Sequence, residues 1–149
     1  MPRTENVVFM NMCMVLSGGR VAVIERKKRD WPGITFPGGH VEQGESFVDS
    51  VIREIREETG LTVETPELRG ITDWRDGDCR YVVLLYRAES FSGELRSSDE
   101  GRVWWEELDR LPELKLSSGM EDYIKVFLET DLSELYYRKA DGVWMNELK

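Results

Sequence analysis

Gly39 to Leu61 reads GHVEQGESFVDSVIREIREETGL, and its pattern of charge and apolarity fixes how the rest of the chain is read. Val48, Val51, Ile52 and Ile55 fall at i, i+3, i+4 and i+7, the apolar stripe of an amphipathic helix. The spacing predicts a helix over Ser46 to Thr59, closed by Gly60 as a left-handed cap. Glu54, Glu57 and Glu58 share an adjacent arc roughly 100° wide, with Glu58 nearest the apolar edge. Arg53 stands four residues before Glu57 and can hold that carboxylate by a hydrogen bond. Clustered carboxylates repel one another unless a cation lies among them. Oxygen-only ligands suit Mg2+ or Mn2+, the ions that accompany phosphate substrates. Gly38, Gly39 and Gly44 make the preceding loop tight enough for backbone to come close to a ligand.

A glutamate-rich helix is more often a solvated face than a site, so the spacing has to decide. It runs Gly39, five residues, Glu45, seven residues, Arg53-Glu54-Ile55, one residue, Glu57-Glu58, one residue, Gly60-Leu61. With each named residue type near 7% of proteins, chance agreement at one start site is on the order of 10⁻⁸. Every fixed position matches the Nudix box, and the chain resembles the Nudix hydrolases over these 23 residues.

Size and charge narrow the field. At 149 residues the chain is expected to be one domain, 1–149, with room for a real core. A net charge of −9 argues against long nucleic acid as the main partner, because such binding depends on Lys and Arg neutralising phosphates. A small phosphate compound held through a divalent cation stays compatible. Cys13 and Cys79 lie in separate segments without metal-ligand spacing, the pattern of free thiols in a reducing compartment. MPRTEN lacks a signal-peptide core, and Val7 to Leu16 is too short to span a bilayer. The expected location is cytoplasmic, away from membranes. Monomer and homodimer both stay open.

Strands are expected over Val7 to Leu16, Arg20 to Glu25, Leu61 to Thr65, Glu67 to Asp73, Tyr81 to Ala88 and Arg102 to Glu106. A short helical turn over Glu107 to Leu111, a helix within Ser118 to Glu129 and a hairpin around Ala140-Asp141-Gly142 complete the pattern. Sheet covered by helices on both sides is the architecture such a mixture favours. The resemblance implies the Nudix fold: an α/β (α+β) arrangement, an α/β/α sandwich with a mixed β-sheet between helices.

The resemblance also implies roles. Glu54, Glu57 and Glu58 are the expected metal ligands and catalytic carboxylates, with the Gly38 carbonyl as a further ligand and Mg2+ (or Mn2+) as cofactor. Arg53 and Glu45 are expected to support the helix and loop, and Glu54 is the expected general base. Glu100, in Ser97-Ser98-Asp99-Glu100-Gly101, stands where MutT-like members carry a downstream acid; a solvated loop acid is the equal alternative. The basic run Arg26-Lys27-Lys28-Arg29 precedes the glycine loop, so Arg26 and Lys27, with Gly39, are the expected contacts to substrate phosphates. His40, the sole histidine, reads as a loop residue.

For the substrate, Trp31, Phe36, Trp74, Tyr81, Trp104 and Trp105 could face a base, although strand aromatics are more often core. Trp104 and Trp105 must point to opposite faces of their strand. ADP-ribose-type members tend to carry a proline where Asp76 stands, and diadenosine types a tyrosine shortly beyond. The resemblance therefore implies MutT-like cleavage of a nucleoside triphosphate, oxidised forms such as 8-oxo-dGTP included, to a monophosphate and pyrophosphate. The rival readings are hydrolysis of another nucleoside diphosphate-X compound or an RNA 5′ end, and a non-catalytic nucleotide-sensing module.

Overall fold

The computed structural model describes residues 2–27 and 30–149; Lys28 and Arg29 of the basic run lie outside them. In chain order the elements are β1 (Asn6–Ser17), β2 (Arg20–Arg26), β3 (Ile34–Thr35), α1 (Phe47–Thr59), β4 (Thr62–Glu64), β5 (Glu67–Asp76) and β6 (Cys79–Ala88). There follow β7 (Ser90–Ser92), β8 (Gly101–Glu107), a 3-10 turn (Leu108–Glu113), α2 (Met120–Leu128), β9 (Glu134–Ala140) and β10 (Val143–Leu148). The main sheet runs β10-β9-β5-β6-β1-β2-β3, with β8 added on β2. Pairs β1·β6 and β5·β9 are parallel and the remaining pairs antiparallel, so the sheet is mixed, as expected.

The alternation of β1 builds a core on each face. Met12, Met14 and Leu16 point to one side, where Phe36, Met120, Val126 and Phe127 pack. Cys13 and Val15 point to the other, against Val51, Ile55, Leu61 and Val63. Thus α2 covers one face of the sheet and α1 the other. Trp104 joins the α2 side and Trp105 the α1 side, as the period of two requires. Cys13 is buried and Cys79 half-buried, both as free thiols. Among the described residues no helix is long and apolar enough to cross a membrane.

Several boundaries differ from expectation. Strand β5 continues to Asp76, because β6 pairs with it up to the Gly77-Asp78 turn. The short β7, polar in sequence, forms only through its pairing with β4. The apolar stripe of α1 is also rotated. Val48 was expected in the core but is 43% exposed, while Ser50, Glu58 and Thr59 are buried beside Val51 and Ile55. Each of those polar groups has a partner at this face, which makes the burial tolerable.

Candidate active site

The site forms where the end of β2, the glycine loop and α1 meet. Ser46 caps the helix by accepting a hydrogen bond from the Asp49 N–H at 3.0 Å. Gly60 ends it with φ 79°, the left-handed geometry glycine adopts without strain. The loop before the helix is bound to β1 as an irregular extra strand: the Asn11 N–H donates to the Gly39 carbonyl at 2.8 Å and the Cys13 N–H to that of Pro37 at 2.9 Å.

Asn11 then links this loop to the helix. Its side-chain oxygen accepts from the Gly39 N–H at 3.1 Å, and its amide nitrogen donates to Ser50 Oγ at 2.9 Å. Asn11 is 3% exposed. It was missed as a site residue; its one sequence signal was a polar side chain inside an otherwise apolar strand, where a buried amide must find partners.

Arg53 uses all five of its N–H donors. Nε and Nη2 donate to the Glu45 carboxylate at 2.7 and 2.9 Å, and Nη2 also to the His40 carbonyl at 3.0 Å. Nη1 donates to Glu54 at 3.0 Å and Glu57 at 3.2 Å. The expected supporting pair Arg53–Glu45 is therefore present, and the guanidinium also restrains two of the box glutamates. Arg53 holds the Glu45 carboxyl down to about 2, aided by the Glu42 N–H. Glu45 in turn holds the Arg53 guanidinium above its ordinary range.

The box glutamates sit in unlike surroundings. Glu57 is exposed. Glu54 packs its carboxylate against Gly39, where an added Cβ would push that carboxylate aside. Burial raises the Glu54 carboxyl, with Arg53 opposing and the charges of Glu57 and Glu100 adding to the rise. Glu58 is 2% exposed and accepts from the Gly38 N–H at 3.2 Å and from Arg26 Nη1 at 3.1 Å. Burial pushes its carboxyl up to about 7 against the pull of Arg26.

Antiparallel pairing sets Arg26 opposite Gly101, which brings the downstream acidic loop alongside. The Lys27 N–H donates to the Glu100 carbonyl at 3.2 Å, and the Glu100 charge is felt at Glu54. Lys27 and Glu100 are both exposed. The exposed His40 contributes its carbonyl to Arg53.

Among the described residues no three acidic, histidine or cysteine side chains converge closely enough to enclose an ion. Two guanidiniums pair with these carboxylates: Arg53 with Glu54 and Glu57, and Arg26 with Glu58. The donor set itself fits a hard divalent cation, since carboxylates and a carbonyl are the oxygen ligands such ions take. Burial, with a smaller contribution from neighbouring carboxylates, holds the Glu54 and Glu58 carboxyls above their ordinary range against the pull of Arg53 and Arg26.

The aromatic candidates divide. Phe36 is 1% exposed and belongs to the core. Trp74 stacks on Tyr81 with centroids 5.4 Å apart, and both are half-buried. Trp31 leans on Tyr123 at 5.7 Å and donates from Nε1 to the Ser118 carbonyl at 3.0 Å. Arg102 lies over Trp104 at 4.3 Å, and Trp105 packs against Phe91 at 5.5 Å.

Comparison with known proteins places this geometry. The family model described as the NUDIX domain matches residues 8–127. An ADP-ribose pyrophosphatase of Methanocaldococcus jannaschii is 33% identical over 113 residues, 73% of this chain and 66% of that protein. An oxidized purine nucleoside triphosphate hydrolase of Danio rerio is 34% identical over 117 residues, 70% of this chain and 69% of that protein. The chain thus spans about two thirds of the length of both relatives. The crystal structure of a MutT protein from Bacillus halodurans superposes with a TM-score of 0.78 at 30% identity, covering 95% of this chain and 97% of that one.

Proposed function

This chain belongs to the Nudix hydrolase family, and from that premise we propose that it hydrolyses the pyrophosphate linkage of a nucleoside triphosphate, oxidised purine forms included, to a monophosphate and pyrophosphate. The observation that carries the reading is the oxygen-donor set at the start and along one arc of α1. Gly38 precedes the helix and Glu54, Glu57 and Glu58 follow along it, with Glu58 buried and Glu54 half-buried. Carboxylates crowded on one partly buried arc are costly to a fold unless paired, and the cluster makes sense as a receptor for positive charge and phosphate.

In this reading the Gly38 carbonyl, Glu54, Glu57, Glu58 and Glu100 would hold Mg2+ or Mn2+. A divalent ion there offsets phosphate charge and lowers the pKa of a water bound to it. The chain's own residues do the rest. Glu54, with its carboxyl raised, accepts the proton of the attacking water as the new O–P bond forms and the P–O–P bond breaks. Arg53 orients Glu54 and Glu57, and Gly39 leaves space for the Glu54 carboxylate. Arg26 and Lys27 approach the phosphates from the end of β2.

The match to the zebrafish oxidised-purine enzyme supports a triphosphate substrate, and the match to an ADP-ribose enzyme supports testing diphosphate-X compounds beside it. Retention of every box carboxylate favours turnover over mere sensing. The test is incubation with Mg2+ and a panel of nucleotides, oxidised nucleotides, ADP-ribose, nucleotide sugars and dinucleotides, with products resolved. Monophosphate plus pyrophosphate from at least one triphosphate is expected. Cleavage confined to ADP-ribose or nucleotide sugars would move the substrate to a diphosphate-X compound, and no turnover of any panel member would leave the sensing module.

A further inference from the structure

The Arg26 guanidinium lies on two of the oxygens assigned above to the divalent ion. Nη2 donates to the Gly38 carbonyl at 2.8 Å and to Glu58 Oε2 at 3.4 Å, and Nη1 donates to Glu58 Oε1 at 3.1 Å. Both side chains are largely out of solvent, at 15% and 3% exposure. A carboxylate this buried is costly without a counter-charge, and in the structure Arg26 supplies it. A guanidinium and a doubly charged ion on the same carbonyl and carboxylate repel each other, and in a partly dry site that repulsion is weakly screened, so each disfavours the other there.

We propose that Arg26 is a displaceable counter-cation: it holds the Gly38 carbonyl and Glu58 while the divalent ion is away, and must leave them for the ion to bind. The inference rests on the metal ligands of the proposed function. Arg26 is the last residue of β2, opposite Gly101, so its flexible stem can turn without moving the strand. Once displaced, its planar fork is free for another pair of anionic oxygens, and a phosphate arriving with the ion presents them. Metal and phosphate binding are then positively linked, each reducing what the other must displace. Arg26 acts here as a positioning residue that tunes metal affinity.

The sign of one measurement separates this from an ordinary structural ion pair. If Arg26 merely holds Glu58 in place, its removal weakens metal binding. If Arg26 competes with the metal, its removal strengthens it. Mn2+ titration of the nucleotide-free protein, followed by the paramagnetic resonance of free Mn2+, reads this directly. Arg26→Gln is expected to bind Mn2+ about tenfold more tightly than the parent, the scale of one removed competing charge. Arg26→Lys, which keeps the charge but loses the fork, is expected to fall between the two. Thermal melts give a second readout: Arg26→Gln melts below the parent in chelator, and the gap closes when Mn2+ is added.

Equal or weaker Mn2+ binding by both variants would overturn the proposal, as would a melting gap that Mn2+ leaves unchanged. Should Arg26→Gln not fold in chelator, Arg26→Lys alone decides by the same sign. Turnover of the nucleotide panel together with unchanged Mn2+ affinity would sink this inference and leave the proposed function standing. Tighter Mn2+ binding without turnover of any panel member would do the reverse.

Discussion

Helices α1 and α2 lie on opposite faces of one sheet, yet they are held by different means. The 13-residue α1 is capped at both ends and buries Ser50, Glu58 and Thr59 along with Val51 and Ile55. The nine-residue α2 has no side-chain cap at its N-terminus, where Gly119 stands, and buries Met120, Tyr123, Val126 and Phe127. The first helix adds caps and buried polar hydrogen bonds to its apolar packing, while the second relies chiefly on apolar side chains. A helix meant to present carboxylates cannot also rely on a fully apolar seam, because its working arc adjoins its buried one. The Thr59 hydroxyl, donating to the Ile55 carbonyl at 2.6 Å, and Ser50, donating to the Phe47 carbonyl at 2.7 Å, show how α1 keeps its polar groups satisfied under the sheet.

The contrast can be broken from either side. The largest effect is expected on α2: Phe127→Ala should cost about 3–5 kcal/mol of unfolding free energy, the scale for deleting a buried ring. Chemical denaturation checks this, and kcat of the folded fraction should stay near the parent value. On α1 the currency changes. Glu57→Gln should leave the denaturation midpoint almost unmoved, because that side chain is exposed, yet lower kcat about 100-fold, equivalent to about 2.7 kcal/mol of barrier. Steady-state turnover with the best panel substrate measures it; near-parental turnover would remove Glu57 from the site.

The third effect is smaller and depends on pH. Burial raises the Glu58 carboxyl from 4.5 to about 7. A carboxyl raised on folding binds more protons in the native state, so its contribution is fully present below about 4.5 and fades as pH rises through about 7. In chelator the parent should therefore lose on the order of 2 kcal/mol across that window. Glu58→Gln should flatten that part of the profile. A parent whose stability rises over the same window would show that Arg26 outweighs burial at Glu58.

What the sequence disclosed about these two helices was uneven. The α1 region was legible because its features are local: spacing places Glu58 at the apolar edge, Arg53 within reach of Glu57, and Gly60 at the cap, and each stands there in the structure. The exposure of Val48 ran against its place in the apolar stripe, and the burial of Ser50 was not legible, since its partner Asn11 lies 39 residues earlier. The hold of Arg26 on Glu58 and Gly38 was hidden for the same reason. A run of basic residues announces charge, but which anion it meets depends on how β2 is aligned with the glycine loop. Strand β7 escaped notice because its pairing with β4, rather than any alternation of its own, makes it a strand.

The side-chain amide of Asn11 acts as a spacer of fixed length and fixed polarity between the glycine loop and the helix. One end accepts and the other donates, so Gly39 and Ser50 are kept at a set separation from a common strand. An aspartate would preserve the length while reversing the polarity at one end. The Gly39 backbone, against which the Glu54 carboxylate rests, is thus tied to the helix through two atoms of one buried side chain.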